Sequence, residues 1–438
     1  MRKLKISISI ILMLFVSITY STVNFANDTI DEDYSITTND IFSEGAILMN
    51  ASTGQILFEK NAQKKLYPAS TTKILTALLI EEKFNLDEEV VIDPESPFTI
   101  GARIYVNEDE IFTIEQLLNA LLIDSANDVA NALAIHHSGS IEEFSKKMNE
   151  KAKTLGAINS NFVNPSGLHN KDHYTTAFDL GQIAKEFYKN DMLMSIVKKS
   201  TYSIPPTNKV DETRYLKSSN KFLYSESSNY LLDYRDQQIF AKFDLVTGMK
   251  TGYTDAANNC LITSATNGEK ELISVILNAT GRNSYTDSRK LIEFGFNEFR
   301  IKKYFTKNDI VKEIEINNFK KSKISLLAKE DITALLNENY NPNKLTTETI
   351  VFDINLPIEK GSIIGEFNVY YDQKLIISSP LVTNISVTNA LLLNEETDYF
   401  IEKNSVDYMF ILGIFLKILI AFIIWRSAIT LIRVIFEK

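Results

Sequence analysis

From Glu44 onward apolar and polar positions alternate through GAILMN, break at ASTG and resume in QILFEK, which predicts two strands joined by a turn ending in glycine. The spacing then lengthens to the helical period. Helices are expected over Thr71 to Glu82, over Ile114 to Ile135, and over Ile141 to Leu155 behind Ser140. Thr113 followed three residues later by Gln116 has capping-box spacing for the second of these. Strand pattern returns in FDLVTGMKTGYT, NNCLITSAT and KELISVILNAT, the last two joined by NGE, a hairpin signal. Strands at both ends with helices between them describe an α+β domain, an antiparallel sheet with helices, over residues 44–300. Residues 301–390 change to β-rich runs such as IVKEIEI, TIVFDINL and FNVYYDQKLIISSPLV, and predict a smaller all-β domain. Residues 27–43 are polar and acidic and read as a linker; Ser218 to Asp236 reads as a surface insertion.

Both ends carry apolar segments. MRKLK, then ISISIILMLFVSIT, then a small and polar stretch ending near Ala26 read as a secretory signal peptide over residues 1–26. An uncleaved anchor is the other reading, and Asn24 is a poor residue for a cleavage site. After a second linker, 391–407, the segment from Tyr408 to Trp425 would cover about 27 Å as a helix, enough for a bilayer core. Lys417 in its middle costs about 3 kcal/mol on insertion. A transmembrane or membrane-anchoring helix is expected over 408–428, with 429–438 as a short cytoplasmic or interfacial tail. Acidic residues before the span and Arg426, Arg433 and Lys438 after it place the tail in the cytoplasm and the body outside.

Composition changes the picture little. The formal charge of −10 argues against a nucleic-acid partner, since nothing would neutralise phosphates along a groove. Cys260 is the only cysteine, so no intramolecular disulfide can form; a small buried hydrophobe is its expected role.

The chemistry is carried by three short motifs. In YPASTTKILTALLIEE, Ser70 stands at the start of a helix and Lys73 three residues on, so the two side chains share a face. A lysine serves as general base only when neutral, and burial or a second cation would push its pKa down. Alone the pair is weak: the same S-x-x-K spacing recurs at Ser195 and Ser218, and an N-cap serine with a solvated lysine is its ordinary meaning. LLIDSANDVANALA places Ser125 and Asn127 at an interruption of strong helical sequence, a hydroxyl and a carboxamide able to relay a proton and hold an amide. Finally GMKTGYT puts Lys250 and Thr251 on a strand, a cation and a hydroxyl at carboxylate spacing, with Gly252 leaving room for a ligand backbone. This triplet occurs once.

Taken in order, the motifs match those of active-site-serine penicillin-recognising enzymes. More closely, the chain resembles the D-alanyl-D-alanine carboxypeptidases among the low-molecular-mass penicillin-binding proteins. The likeness runs through AILMNASTGQILFEKNAQKKLYPASTTKILTALL, FVNPSGLHNKDHYTT and VTGMKTGYTDAANNCLITSAT, nearly all of residues 44 to 297, and extends to the β-rich domain and membrane-attaching tail. The resemblance implies a penicillin-binding, transpeptidase-type fold. It makes Ser70 the nucleophile toward stem peptides ending in D-Ala-D-Ala, Lys73 its base and Ser125 a proton shuttle. Asn127 would bond the substrate amide, and Lys250 and Thr251 would bind the terminal carboxylate. The amides of Ser70 and Tyr253 would form an oxyanion hole, beside Gly252. β-Lactams would trap Ser70, and neither a metal nor an organic cofactor is implied. His169 and His173 are then solvated loop residues rather than metal ligands. Some relatives carry an arginine where SSNKFL has Ser219; Arg214 and Arg235 are the conceivable substitutes.

Three rival readings stay open. A class A β-lactamase would need a deacylating glutamate where this chain reads NSNFVNPSGLHN. An endopeptidase or transpeptidase could use the same site, and a wall-binding module could keep the fold without catalysis.

Overall fold

The computed structural model describes residues 34–315, 323–353 and 357–386. The expected signal peptide, the second linker, the 408–428 segment and the tail lie outside the described residues. Among those residues no helix is long and apolar enough to cross a membrane.

The larger domain is built on a five-stranded antiparallel sheet of β1 (Gly45–Asn50), β2 (Ile56–Lys60), β3 (Val246–Thr254), β4 (Asn258–Thr266) and β5 (Glu271–Ala279), in the order β2-β1-β5-β4-β3. Pairing of β1 with β5 closes the domain by joining its two ends in sequence. Both faces of the sheet are covered, so β1 is buried along its whole length. Its alternate residues divide between two cores: Ile47 and Met49 join one, Ala46 and Leu48 the other.

Helices α1 (Lys73–Glu81), α2 (Ile114–Asn119), α3 (Asn127–Ser138), α4 (Ile141–Thr154), α5 (Ala177–Tyr188) and α6 (Asp191–Val197) are interspersed between β2 and β3, and α7 (Asn283–Asn297) follows β5. Every residue of α1 except Glu81 is buried, which marks it as the central helix rather than an amphipathic surface one. The single helix expected over Ile114 to Ile135 is in fact α2, a π turn over Ala120–Asp124, a left-handed Ser125 at φ 67°, and α3. The capping box at Thr113 and Gln116 is present, as is the Ser140 cap of α4.

Two sequence expectations are corrected. The 218–236 stretch is no mere surface insertion: Ser218, Asn220, Phe222 and Ser225 are buried, and the segment forms one wall of the cleft described below. Its Asn220 caps a short 3-10 turn, Lys221–Leu223, and Phe222 packs on Phe243 and Tyr285. His173 is likewise not solvated but 2% exposed, held by hydrogen bonds behind the nucleophile turn.

The smaller domain holds β6 (Phe299–Phe305), β7 (Ile310–Glu315), β8 (Lys323–Ala328), β9 (Ile332–Asn337), β10 (Leu345–Val351), β11 (Ile363–Tyr371) and β12 (Lys374–Thr383). A five-stranded sheet ordered β7-β8-β12-β11-β10 accompanies the β6–β9 pair. Besides the direct run of α7 into β6 and an ion pair of Lys374 with Glu59, the joint with the larger domain includes Gln55, just before β2. Its side-chain amide donates to the Leu335 carbonyl at 2.6 Å and accepts from the Leu335 N–H at 2.8 Å, as a neighbouring strand would.

Candidate active site

Pro68 and the hydroxyl cluster after it do not start α1 directly. They form a 3-10 turn, Ala69–Thr72, that leads into α1 and carries Ser70 at the surface of a buried segment. Ala69 takes φ 47°, a conformation unfavourable for alanine, and the surroundings hold it there. Gly167 packs so closely that a Cβ on it would stand 1.8 Å from the Ala69 carbonyl oxygen. Thr72 Oγ1 donates to that same oxygen at 2.9 Å and lies 2.9 Å from His173 Nε2. Because the Val163 N–H donates to His173 Nδ1 at 3.1 Å, the ring carries its proton on Nε2 and donates to Thr72. Burial, with Lys73 nearby, pushes the His173 pKa down to about 4, so the ring stays neutral.

Lys73 is completely buried, and its Nζ lies 3.0 Å from Ser70 Oγ, 2.7 Å from Asn127 Oδ1 and 2.7 Å from the Ser166 carbonyl oxygen. A neutral amine has two hydrogens and one lone pair. The carboxamide and the carbonyl can only accept, so they take the hydrogens, and the lone pair is left for the serine hydroxyl. Desolvation, followed by the charge of Lys250, holds the Lys73 pKa well below the ordinary lysine value, while Asp128 opposes the shift. This is the arrangement of a general base.

Ser125 and Asn127 flank the helix break. The π turn and the left-handed Ser125 turn the chain so that Ser125 lines the cleft and Asn127 meets Lys73. Asn127 Nδ2 donates to the Ile100 carbonyl at 2.9 Å, leaving one of its two N–H donors for a ligand. Orienting the base is thus a task of Asn127 that its spacing alone did not reveal.

β3 supplies the opposite wall. An irregularity in its pairing with β4 lies near Gly248, where a Cβ would stand 2.6 Å from the Val197 carbonyl oxygen. Bulges of this kind re-aim the side chains that follow them. Lys250, fully buried, donates to the Thr251 carbonyl at 3.0 Å; burial pushes its pKa down to about 7, against the pull of Asp124. Thr251 Oγ1 lies 2.5 Å from Ser219 Oγ. A Cβ on Gly252 would meet the Ser70 nitrogen at 2.9 Å and the Pro68 oxygen at 3.0 Å, so only glycine lets strand and nucleophile turn come this close. Tyr253 is largely exposed beside them, its hydroxyl donating to Asp255.

These elements enclose a cleft of ≈ 340 Å³ lined by Ser70, Ser125, Ser219, Thr251, Gly252 and Tyr253 among others. Among the described residues no arginine lines it. Arg214 is committed to the buried Glu110 at 2.8 Å and to the Ile104 carbonyl, and Arg235 lies over the Tyr34 ring. The cation lining the cleft is Lys221, whose Nζ donates to Tyr224 Oη at 2.8 Å and has no ion pair among the described residues. Of the groups placed around Ser70, the sequence singled out Lys73, Ser125, Asn127 and Lys250 to Tyr253. It missed Ser166, Gly167, Thr72 and His173, although NPSGLHNKDHYTT was legible as a segment of resemblance.

Residues 32–281 match the family model described as D-alanyl-D-alanine carboxypeptidase, more than half of the chain. The chain belongs to this family. Residues 299–389 match the C-terminal domain of penicillin-binding protein 5. D-Alanyl-D-alanine carboxypeptidase DacF of Bacillus subtilis is 30% identical over 355 residues, covering 80% of this chain and 86% of the relative. DacC of Escherichia coli, also a D-alanyl-D-alanine carboxypeptidase, is 27% identical over 82% of this chain and 87% of its own length. Among solved structures, penicillin-binding protein 5 of Haemophilus influenzae shares the fold with a TM-score of 0.64 at 24% identity, over 81% of this chain and all of the other. As a family member, this carboxypeptidase is a serine hydrolase acting on D-Ala-D-Ala.

Proposed function

We propose that Ser70 is the nucleophile of this D-alanyl-D-alanine carboxypeptidase and that it removes the terminal D-alanine from peptidoglycan stem pentapeptides through an acyl-enzyme. The observation that carries the reading is the Lys73 amine 3.0 Å from Ser70 Oγ with both hydrogens engaged elsewhere. The Ser70 proton passes to Lys73 as Oγ bonds to the carbonyl carbon between the two D-alanines. The Ser70 and Tyr253 amides hold the resulting oxyanion, each such donor being worth about 3 kcal/mol. Lys73 then returns the proton through Ser125 to the departing nitrogen, the C–N bond breaks, and D-alanine leaves. Water attacks the ester, gives a proton to Lys73, and Ser70 Oγ recovers it.

Lys250, Thr251 and Ser219 receive the terminal carboxylate, and the remaining Asn127 N–H bonds the acyl half of the substrate. A β-lactam, which presents an amide and a carboxylate at the same spacing, acylates Ser70 and stays. Support for export and for a body held at the outer face of the cytoplasmic membrane comes from the basic-then-apolar N-terminus and from residues 408–428.

The test is incubation of the purified protein with a pentapeptide ending in D-Ala-D-Ala, followed by mass spectrometry. Loss of one alanine, and a penicillin adduct on the wild type but not on Ser70→Ala, are expected. An adduct on another residue would reject Ser70, and products with new or broken cross-links would move the reading to transpeptidase or endopeptidase.

A further inference from the structure

β3 is the edge strand of the sheet, so a peptide substrate lies along its open side. With the leaving D-alanine at Thr251, the acyl half runs the other way, past Tyr253 toward the β3–β4 turn. A second cavity of ≈ 280 Å³ opens there, lined by Ala256 and Ala257 of that turn, by Tyr67, and by Lys65, Lys171 and Tyr174. It adjoins the cleft through a shared wall: the Cys260 thiol, which lines the cleft, contacts the carbonyl oxygens of Tyr67 and Ala257.

Its charge is unbalanced. Lys64 next door pairs with Glu44, but Lys65 and Lys171 form no ion pair among the described residues. The Lys65 ammonium instead sits 4.3 Å from the centre of the Tyr174 ring, which leaves its N–H groups for a ligand. Two unpaired cations facing one cavity in a chain of net charge −10 select an anion.

We propose that this cavity binds a carboxylate on the acyl half of the substrate, and so sets a preference for acidic stem peptides. The proposal rests on the Ser70 reading, which fixes the direction of the substrate. The turn that bears Ala256 and Ala257 follows β3 directly after Thr254, so the cavity lies within the reach of two to three peptide residues beyond the scissile carbonyl, about 7–10 Å of extended substrate. Two groups of a stem peptide fit that reach: the α-carboxylate of a γ-linked D-glutamyl residue, and the side-chain carboxylate of a diamino diacid at the third position. Lys65 and Lys171 act on binding alone.

The experiment measures KM and kcat of the detergent-solubilised full chain on stem pentapeptides in which each of these carboxylates is free or amidated in turn, and on diacetyl-lysyl-D-Ala-D-Ala, which has neither. The wild type is expected to show a KM about tenfold lower for the peptide with the recognised carboxylate free. The paired substitution Lys65→Gln with Lys171→Gln abolishes the difference, Lys65→Arg with Lys171→Arg keeps it, and the diacetyl tripeptide is turned over alike by all three. Equal losses on every substrate, or no preference in the wild type, overturn the proposal. A wild type that turns over no peptide at all and takes no penicillin label overturns the Ser70 reading instead.

Discussion

The Lys73 amine lies 3.0 Å from the Ser70 hydroxyl, and no carboxylate shares that contact. Its pKa is held low by burial first and by Lys250 second. Lys73→Met keeps the volume and removes the base, and the penicillin acylation rate is expected to fall by at least about 10³-fold. The circular-dichroism spectrum should not change.

Turnover depends in opposite senses on the protonation of Lys250, whose pKa is about 7, and of Lys73. Turnover needs Lys73 neutral and Lys250 charged, so kcat/KM falls in acid as Lys73 gains its proton and in alkali as Lys250 loses one. The alkaline limb of kcat/KM is expected to begin near 7. A bound carboxylate favours the ammonium, so the alkaline limb of kcat should lie higher. Coincident limbs in the two profiles would contradict a carboxylate role for Lys250.

The same residue costs stability. A lysine whose folded pKa is about 7 binds fewer protons folded than unfolded between that pH and the ordinary lysine value. Stability from this group therefore rises with pH across that window and is lowest below it. Lys250→Met should lose turnover yet melt at a higher temperature than the wild type at pH about 6, with the gap closing toward pH about 10.

Gly167→Ala would force a Cβ to 1.8 Å from the Ala69 carbonyl oxygen at a φ of +83°. The contact is with backbone, so the nucleophile turn has to move. Loss of both acylation and turnover is expected, with destabilisation of more than about 2 kcal/mol in chemical denaturation. His173→Ala, which removes the donor to Thr72 and the acceptor of the Val163 N–H but forces no backbone to move, should be milder.

Arg214 and Lys221 separate structure from recognition. Arg214→Ala leaves Glu110, fully buried, without its cation, and about 3–5 kcal/mol of stability should be lost. Lys221→Gln should leave the melting temperature alone and raise KM about tenfold for substrates with a free terminal carboxylate, but not for their amides. The opposite pattern would return the arginine to the substrate.

The motif residues were readable because each group sits at short spacing: Ser70 and Lys73 three residues apart across the entry to α1, Lys250 to Tyr253 along one strand. The helix break at Ser125 was visible as an interruption, although its π turn was not. Ser166, Gly167 and His173 escaped because their roles exist only across the fold, where a backbone carbonyl or a close approach matters and leaves no pattern. Helices α5 to α7 were passed over despite caps at Thr176 and Asn190, whose side chains accept from the third following N–H. The wall made by the 218–236 segment looked polar and loop-like, because its burial comes from Phe243 and Tyr285, far along the chain.

Gln55 rivets the smaller domain to the hairpin of β1 and β2, while the cleft lies along β3 at the far edge of the same sheet, with three strands between β2 and β3. A tug or twist on the small domain therefore has two ways into the enzyme: through Gln55 at the rim away from Ser70, and through Glu298 into α7, whose Ser284 and Tyr285 line the cleft itself.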